Sequence, residues 1–111
     1  MVMYDLEVRF GSQKSFYGKA IVIELENGNK KELYSYDTLI ATIDYKKGTV
    51  IITDYGDYSN TTVRHLKDFL LQNDVKPSNI YISGVPQKNW SMKTVREVQN
   101  KPIRLSSYTY F

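Results

Sequence analysis

Apolar and polar residues alternate from Tyr4 to Phe10, reading Tyr-Asp-Leu-Glu-Val-Arg-Phe, and this period of two predicts a half-buried β-strand. Gly11-Ser12-Gln13 interrupts it. The pattern resumes from Phe16 to Glu24, where Ala20-Ile21-Val22-Ile23 is too continuous for a strand with one solvated face and suits a central position. Glu26-Asn27-Gly28-Asn29 comes next. Asn-Gly readily takes the positive φ angles of a tight hairpin, so Lys31 to Tyr36 is expected to pair back antiparallel. Leu39 to Tyr45 forms a further strand, Lys46-Lys47-Gly48 turns, and Thr49 to Tyr55 returns. The β-branched residues at 49–53 suit a pleated surface and disfavour a helix. Five successive strands with short connections predict a twisted antiparallel meander, able to curl toward a half-barrel.

The period then changes. Val63, Leu66, Phe69 and Leu70 recur at helical spacing behind the capping side chains of Ser59, Asn60 and Thr61. A helix from about Thr61 to Asn73 is expected to close the core with this stripe, with Arg64, Lys67, Asp68 and Gln72 on its opposite side. Lys76-Pro77-Ser78 prevents its resumption. Asn79 to Ser83 reads as a short sixth strand and Gly84-Val85-Pro86 as a turn. Ser91 is placed to cap a second, shorter helix through about Asn100, whose thin apolar face of Met92, Val95 and Val98 suits peripheral docking. Beyond Pro102 the tail alternates again from Ile103 to Phe111, as a last strand or as a segment that a partner orders. The expected fold is a single α+β domain over residues 1–111. Its antiparallel twisted sheet of five to seven strands packs on one main helix, with a second short helix near the C-terminus.

Composition narrows the function classes. A chain of 111 residues can bury a core without metal or disulfide support. It has no cysteine, which excludes disulfides, thiolate nucleophiles and sulfur-ligated metals. Met1 to Phe10 lacks the basic start and apolar block of a signal peptide, and no apolar run reaches the ~20 residues of a membrane span. A cytoplasmic location and no membrane partner are therefore expected. The formal net charge is +3, with the basic residues spread along the chain instead of concentrated in one stripe. The tightest groupings are Lys30-Lys31, Lys46-Lys47, and Lys88 with Lys93 and Arg96. Lysines beside turns and edge strands serve solubility and edge protection more often than nucleic-acid binding.

Candidate catalytic chemistry is sparse. His65 is the single histidine, at the edge of the helix face, where a structural role outweighs a catalytic one. Asp37, Asp44, Asp54 and Asp57 lack the dense oxygen-ligand spacing of a calcium loop. The glycines fall singly at turns, with no phosphate-cradling loop, and Ser59, Ser83 and Ser91 lie in no recognisable nucleophile context. The expectation is a protein without enzymatic activity, cofactor or metal.

Tyrosine is the stronger signal. Ten tyrosines and four phenylalanines dominate an aromatic content of 14%. Tyr34 and Tyr36 are two apart, which places them on one strand face. Tyr55 and Tyr58 bracket the loop before the helix, and Tyr108 and Tyr110 repeat the two-residue spacing ahead of Phe111. Tyrosine offers large contact area with little rotamer entropy to lose. A partner-binding surface of Tyr34, Tyr36, Tyr55, Tyr58, Lys88, Lys93, Arg96, Tyr108, Tyr110 and Phe111 is therefore expected. The same rings could stack on unpaired bases if lysines flanked them, the reading of a single-stranded nucleic-acid binder.

Leu33-Tyr34-Ser35-Tyr36-Asp37-Thr38-Leu39-Ile40-Ala41, followed after a hairpin by Tyr58-Ser59-Asn60-Thr61-Thr62-Val63-Arg64-His65-Leu66-Lys67-Asp68-Phe69-Leu70, resembles a pattern in small phage and prophage proteins of low-GC Gram-positive bacteria. The resemblance covers about a third of the chain and its motifs are structural. It implies a protein that binds and blocks a host component, as anti-CRISPR inhibitors do, with a host protein or ribonucleoprotein complex as partner. The basic charge departs from the acidic nucleic-acid mimics among such inhibitors. A phage assembly accessory is the remaining alternative, and the sequence leaves the oligomeric state open.

Overall fold

A computed structural model describes residues 1–53, 59–105 and 108–111. The chain is α+β. A six-stranded sheet is built from β1 (Val2–Asp5), β2 (Ala20–Leu25), β3 (Lys30–Ser35), β4 (Thr38–Asp44), β5 (Thr49–Ile52) and β8 (Ile103–Arg104), in that spatial order and antiparallel throughout. A smaller sheet has β6 (Ile80–Ile82) at its centre, antiparallel to β7 (Val85–Pro86) and parallel to β9 (Thr109–Tyr110). The main helix α1 spans Asn60–Gln72, and the shorter α2 spans Met92–Val98.

The local reasons follow the sequence closely. Asn27 and Gly28 take φ values of 58° and 86° between β2 and β3, the left-handed turn that Asn-Gly favours. Ser59 caps α1 by accepting the Thr62 backbone N–H at 3.1 Å, and Ser91 caps α2 by accepting that of Thr94 at 3.2 Å. One face of the large sheet presents Val22, Leu33, Ile43, Val50, Ile52 and Ile103, all buried, to Leu66, Phe69 and Leu70 of α1. Val95 and Val98 of α2 and Trp90 join the same core, and the Trp90 indole N–H donates to the Val75 carbonyl at 3.0 Å.

Several expectations change. The first strand ends at Asp5, not Phe10, and β2 starts at Ala20 and lies one place from the sheet edge. Leu6 and Val8 still turn toward the core, so their alternation records packing without strand pairing. Asp68, expected on the solvent side of α1, is 1% exposed. Its carboxylate accepts the backbone N–H groups of Arg9 and Phe10 at 3.1–3.3 Å and the Gln72 side-chain amide at 2.6 Å. The tail divides between the sheets, β8 closing the large one and β9 adding to the small one. Thr109 Oγ1 bridges them by accepting the Arg104 backbone N–H at 3.1 Å. No helix among the described residues is long and apolar enough to cross a membrane.

Candidate functional site

Two strands of the small sheet, β6 and β9, bring tyrosines to one face. Ile80 and Thr109 are register partners and buried, so the alternation turns Tyr81 and its partner Tyr110 outward. Pro86, the partner of Tyr81 on the other side, continues this row. The Tyr81 and Tyr110 ring centroids lie 5.0 Å apart, and Tyr108 meets Tyr81 edge-on at 5.4 Å. Both geometries suit the aromatic quadrupole. Tyr108 and Tyr110 remain 57% and 68% exposed. An open groove of about 440 Å³ beside them is lined by Thr49, Pro102, Arg104, Tyr108, Tyr110 and Phe111, among others.

Phe111 differs from its neighbours. Its side chain is half-buried against the core, Lys101 Nζ stands 5.4 Å from its ring centroid, and its backbone N–H donates to the Tyr81 carbonyl at 2.8 Å. Phe111 thus fastens the tail and leaves Tyr108 and Tyr110 as the projecting rings.

The other expected residues do not join this cluster. Lys88 and Lys93 line a separate groove of about 550 Å³ between β7 and α2, and Arg96 lines neither groove. The cations beside the aromatic rings are instead Lys101 and Arg104. Tyr34 and Tyr36 do not share a face. Tyr36 and Asp37 take φ values of 49° and 67° at the tip of the β3–β4 hairpin, and the Tyr36 ring turns toward His65, with centroids 5.8 Å apart. Tyr34 alternates with the buried Leu33 and Ser35, so it lies on the opposite face, where its hydroxyl donates to Glu32 Oε1 at 3.3 Å. Burial, then the Glu32 charge and hydrogen bond, raise the Tyr34 phenol above its ordinary range. Tyr55 and Tyr58 lie outside the described residues. Tyr81, Lys101 and Arg104 were missed. The Ile-Tyr-Ile alternation at 80–82 was the available signal for Tyr81.

His65 is buried in a polar chain. Its Nδ1 lies 2.8 Å from Ser35 Oγ, which is 3.1 Å from Thr62 Oγ1, which accepts from Ser59 Oγ at 3.1 Å. The Phe16 ring meets the imidazole edge-on with centroids 4.7 Å apart. Burial lowers the imidazole pKa below its ordinary value. A serine beside a histidine can form a nucleophile pair, but Ser35 is buried, shares its hydroxyl with Thr62, and lines none of the five grooves described on the surface. The arrangement joins α1 to β3. Among the described residues, no group of three or more His, Asp or Glu side chains could hold a metal ion. Asp44 Oδ1 accepts the Lys47 backbone N–H at 3.0 Å within its turn, and Asp54 and Asp57 lie outside the described residues.

No curated protein matches the chain, and no solved structure does. A family of unknown function, DUF8033, matches over residues 4–92, a span that holds α1, β2 to β7 and Tyr81 and ends before the tail tyrosines. The chain belongs to the DUF8033 family of unknown function.

Proposed function

We propose that this chain is a non-enzymatic binding protein whose contact surface is the tyrosine face of the small sheet. The observation that carries this reading is the Tyr81–Tyr108–Tyr110 cluster, in which two rings project into solvent beside an open groove. Rigid aromatic anchors of this kind supply much of the energy of protein interfaces. A protein partner is favoured over unpaired bases by where the cations lie. Lys88 and Lys93 line another groove, which leaves Lys101 and Arg104 as the cations beside the rings among the described residues, a short row with which to follow a phosphate backbone. The resemblance to phage and prophage proteins extends the proposal to inhibition of a host component in the host cytoplasm, with a CRISPR effector as the leading target. That extension rests on the resemblance alone.

The test is a pull-down from a Gram-positive host lysate, with and without nuclease, using the wild type and a Tyr108→Ser/Tyr110→Ser variant. One stoichiometric host protein, retained after nuclease treatment and lost with the variant, is the expected result. A CRISPR effector in that role would support the inhibitor. Retention of nucleic acid alone, with binding that weakens steeply with salt, would replace this reading with single-stranded nucleic-acid binding.

A further inference from the structure

We infer that β1 is a self-pairing edge, through which two copies of this chain join antiparallel and extend the six-stranded sheet across a two-fold axis. The register with β2 sets Tyr4 opposite Val22, and the Leu6 N–H donates to the Ala20 carbonyl at 2.8 Å. Alternate residues of an antiparallel strand exchange both backbone bonds with the same neighbour. Val2, Tyr4 and Leu6 therefore turn their main-chain groups inward to β2, while Met3 and Asp5 turn theirs to the open edge. Among the described residues, no strand pairs on that side.

Two such edges are mutually complementary. With the two-fold axis at Tyr4, Met3 of each copy faces Asp5 of the other. Each N–H meets a carbonyl, so four main-chain hydrogen bonds satisfy every outward group of both residues. The two Asp5 carboxylates stand apart, each beside a methionine. The side chains point the same way. Val2 and Met3 are 57% and 63% exposed, and Met1 and Tyr4 are exposed beside them. Natural edges are blunted by shortness, charge, proline or a bulge; Val2–Asp5 is short and carries the one charge of Asp5, but it has no lysine, proline or bulge. On the outer face Met3 pairs with Ile23, and Ile21 with Tyr34, so the new sheet would carry one apolar stripe across the axis. The opposite end of the sheet is five strands away, roughly 24 Å at ordinary strand spacing. The dimer would leave both tyrosine clusters free, and the inference does not depend on the function proposed for them.

Sedimentation velocity on the full chain, from low to high micromolar concentration, is the experiment. The expected result is a monomer–dimer equilibrium in the wild type. Met3→Pro should abolish the dimer with the fold intact, because it deletes an outward donor and no bond to β2. A wild type that stays monomeric throughout, or a Met3→Pro protein that still dimerises, would overturn the proposal. Should Met3→Pro fail to fold, amide exchange on the wild type decides: slowing at Met3 and Asp5 as concentration rises is expected, and unslowed exchange at dimer concentrations refutes the edge.

Discussion

Asp68 holds the main chain at Arg9 from 59 residues away, accepting its N–H with both carboxylate oxygens at 3.1 and 3.2 Å. The Phe10 N–H joins the same carboxylate, and Gln72 one turn later donates to the Glu7 carbonyl at 2.7 Å. One helix face thereby fastens a connection that forms no strand. Hydrogen bonds to a buried charge are worth more than neutral ones, so Asp68→Ala should lower the unfolding free energy by about 2–3 kcal/mol. Asp68→Asn should recover only part of this, since its amide N–H₂ would face backbone donors. Urea denaturation checks both. A loss below about 0.5 kcal/mol for the alanine variant would show that water replaces the carboxylate without cost.

The second prediction concerns pH. Burial lowers the folded-state pKa of His65 below its ordinary value of 6.5, so the unfolded chain takes up the proton first. Well above pH 6.5 the imidazole is neutral in both states and contributes no slope. As pH falls from there toward the folded pKa, the unfolded state binds more protons and stability declines. His65→Gln should remove that part of the slope while keeping a polar group near Ser35. Thermal melts of both proteins between pH 5 and 8 should diverge only on the acid side. Parallel curves would show that the burial cost is met by another group.

A third prediction isolates one buried hydrogen bond. Trp90→Phe keeps an aromatic ring in the core but removes the donor to the Val75 carbonyl. A buried acceptor left without its partner costs about 1–3 kcal/mol. The loss should appear in denaturation followed by circular dichroism, since the variant lacks the chain's one tryptophan. An unchanged midpoint would mean that the carbonyl finds another donor.

The hairpins and helices were legible because their signals are local. Asn27-Gly28 specifies its own turn, and Ser59 and Ser91 cap helices whose apolar stripes begin within a few residues. Signals that depend on distant partners were not legible. Nothing around Asp68 announces two amides near residue 10, so a carboxylate on a helix read as solvated. The alternation of Leu6 and Val8 reports which way side chains face, and it cannot report that a helix carboxylate takes the next amides in place of a strand. Tyr36-Asp37 lacks the glycine or asparagine that usually marks a left-handed turn, so Tyr36 read as a strand residue. The tail's alternation was visible, but its division between two sheets is set by the parallel pairing of β9 with β6, a contact across some 30 residues of chain.

The fourth prediction separates binding from folding within the tail. The exposed Tyr108 and Tyr110 rings each pack on Tyr81, and such ring contacts are worth about 0.5–1.5 kcal/mol each. Tyr108→Ser/Tyr110→Ser should therefore cost about 1–2 kcal/mol of stability, keep the fold, and abolish retention of the partner. Phe111→Ala should behave in the opposite sense. It removes a half-buried ring from the core edge and the cation–π contact with Lys101, while leaving the exposed tyrosine rings in place. Its melting temperature should fall further than that of the double variant, with partner retention preserved below the melt. Thermal melts and pull-downs on the two proteins side by side provide the check. If Phe111→Ala loses the partner and the tyrosine variant keeps it, the contact surface lies on the groove floor instead of the projecting rings.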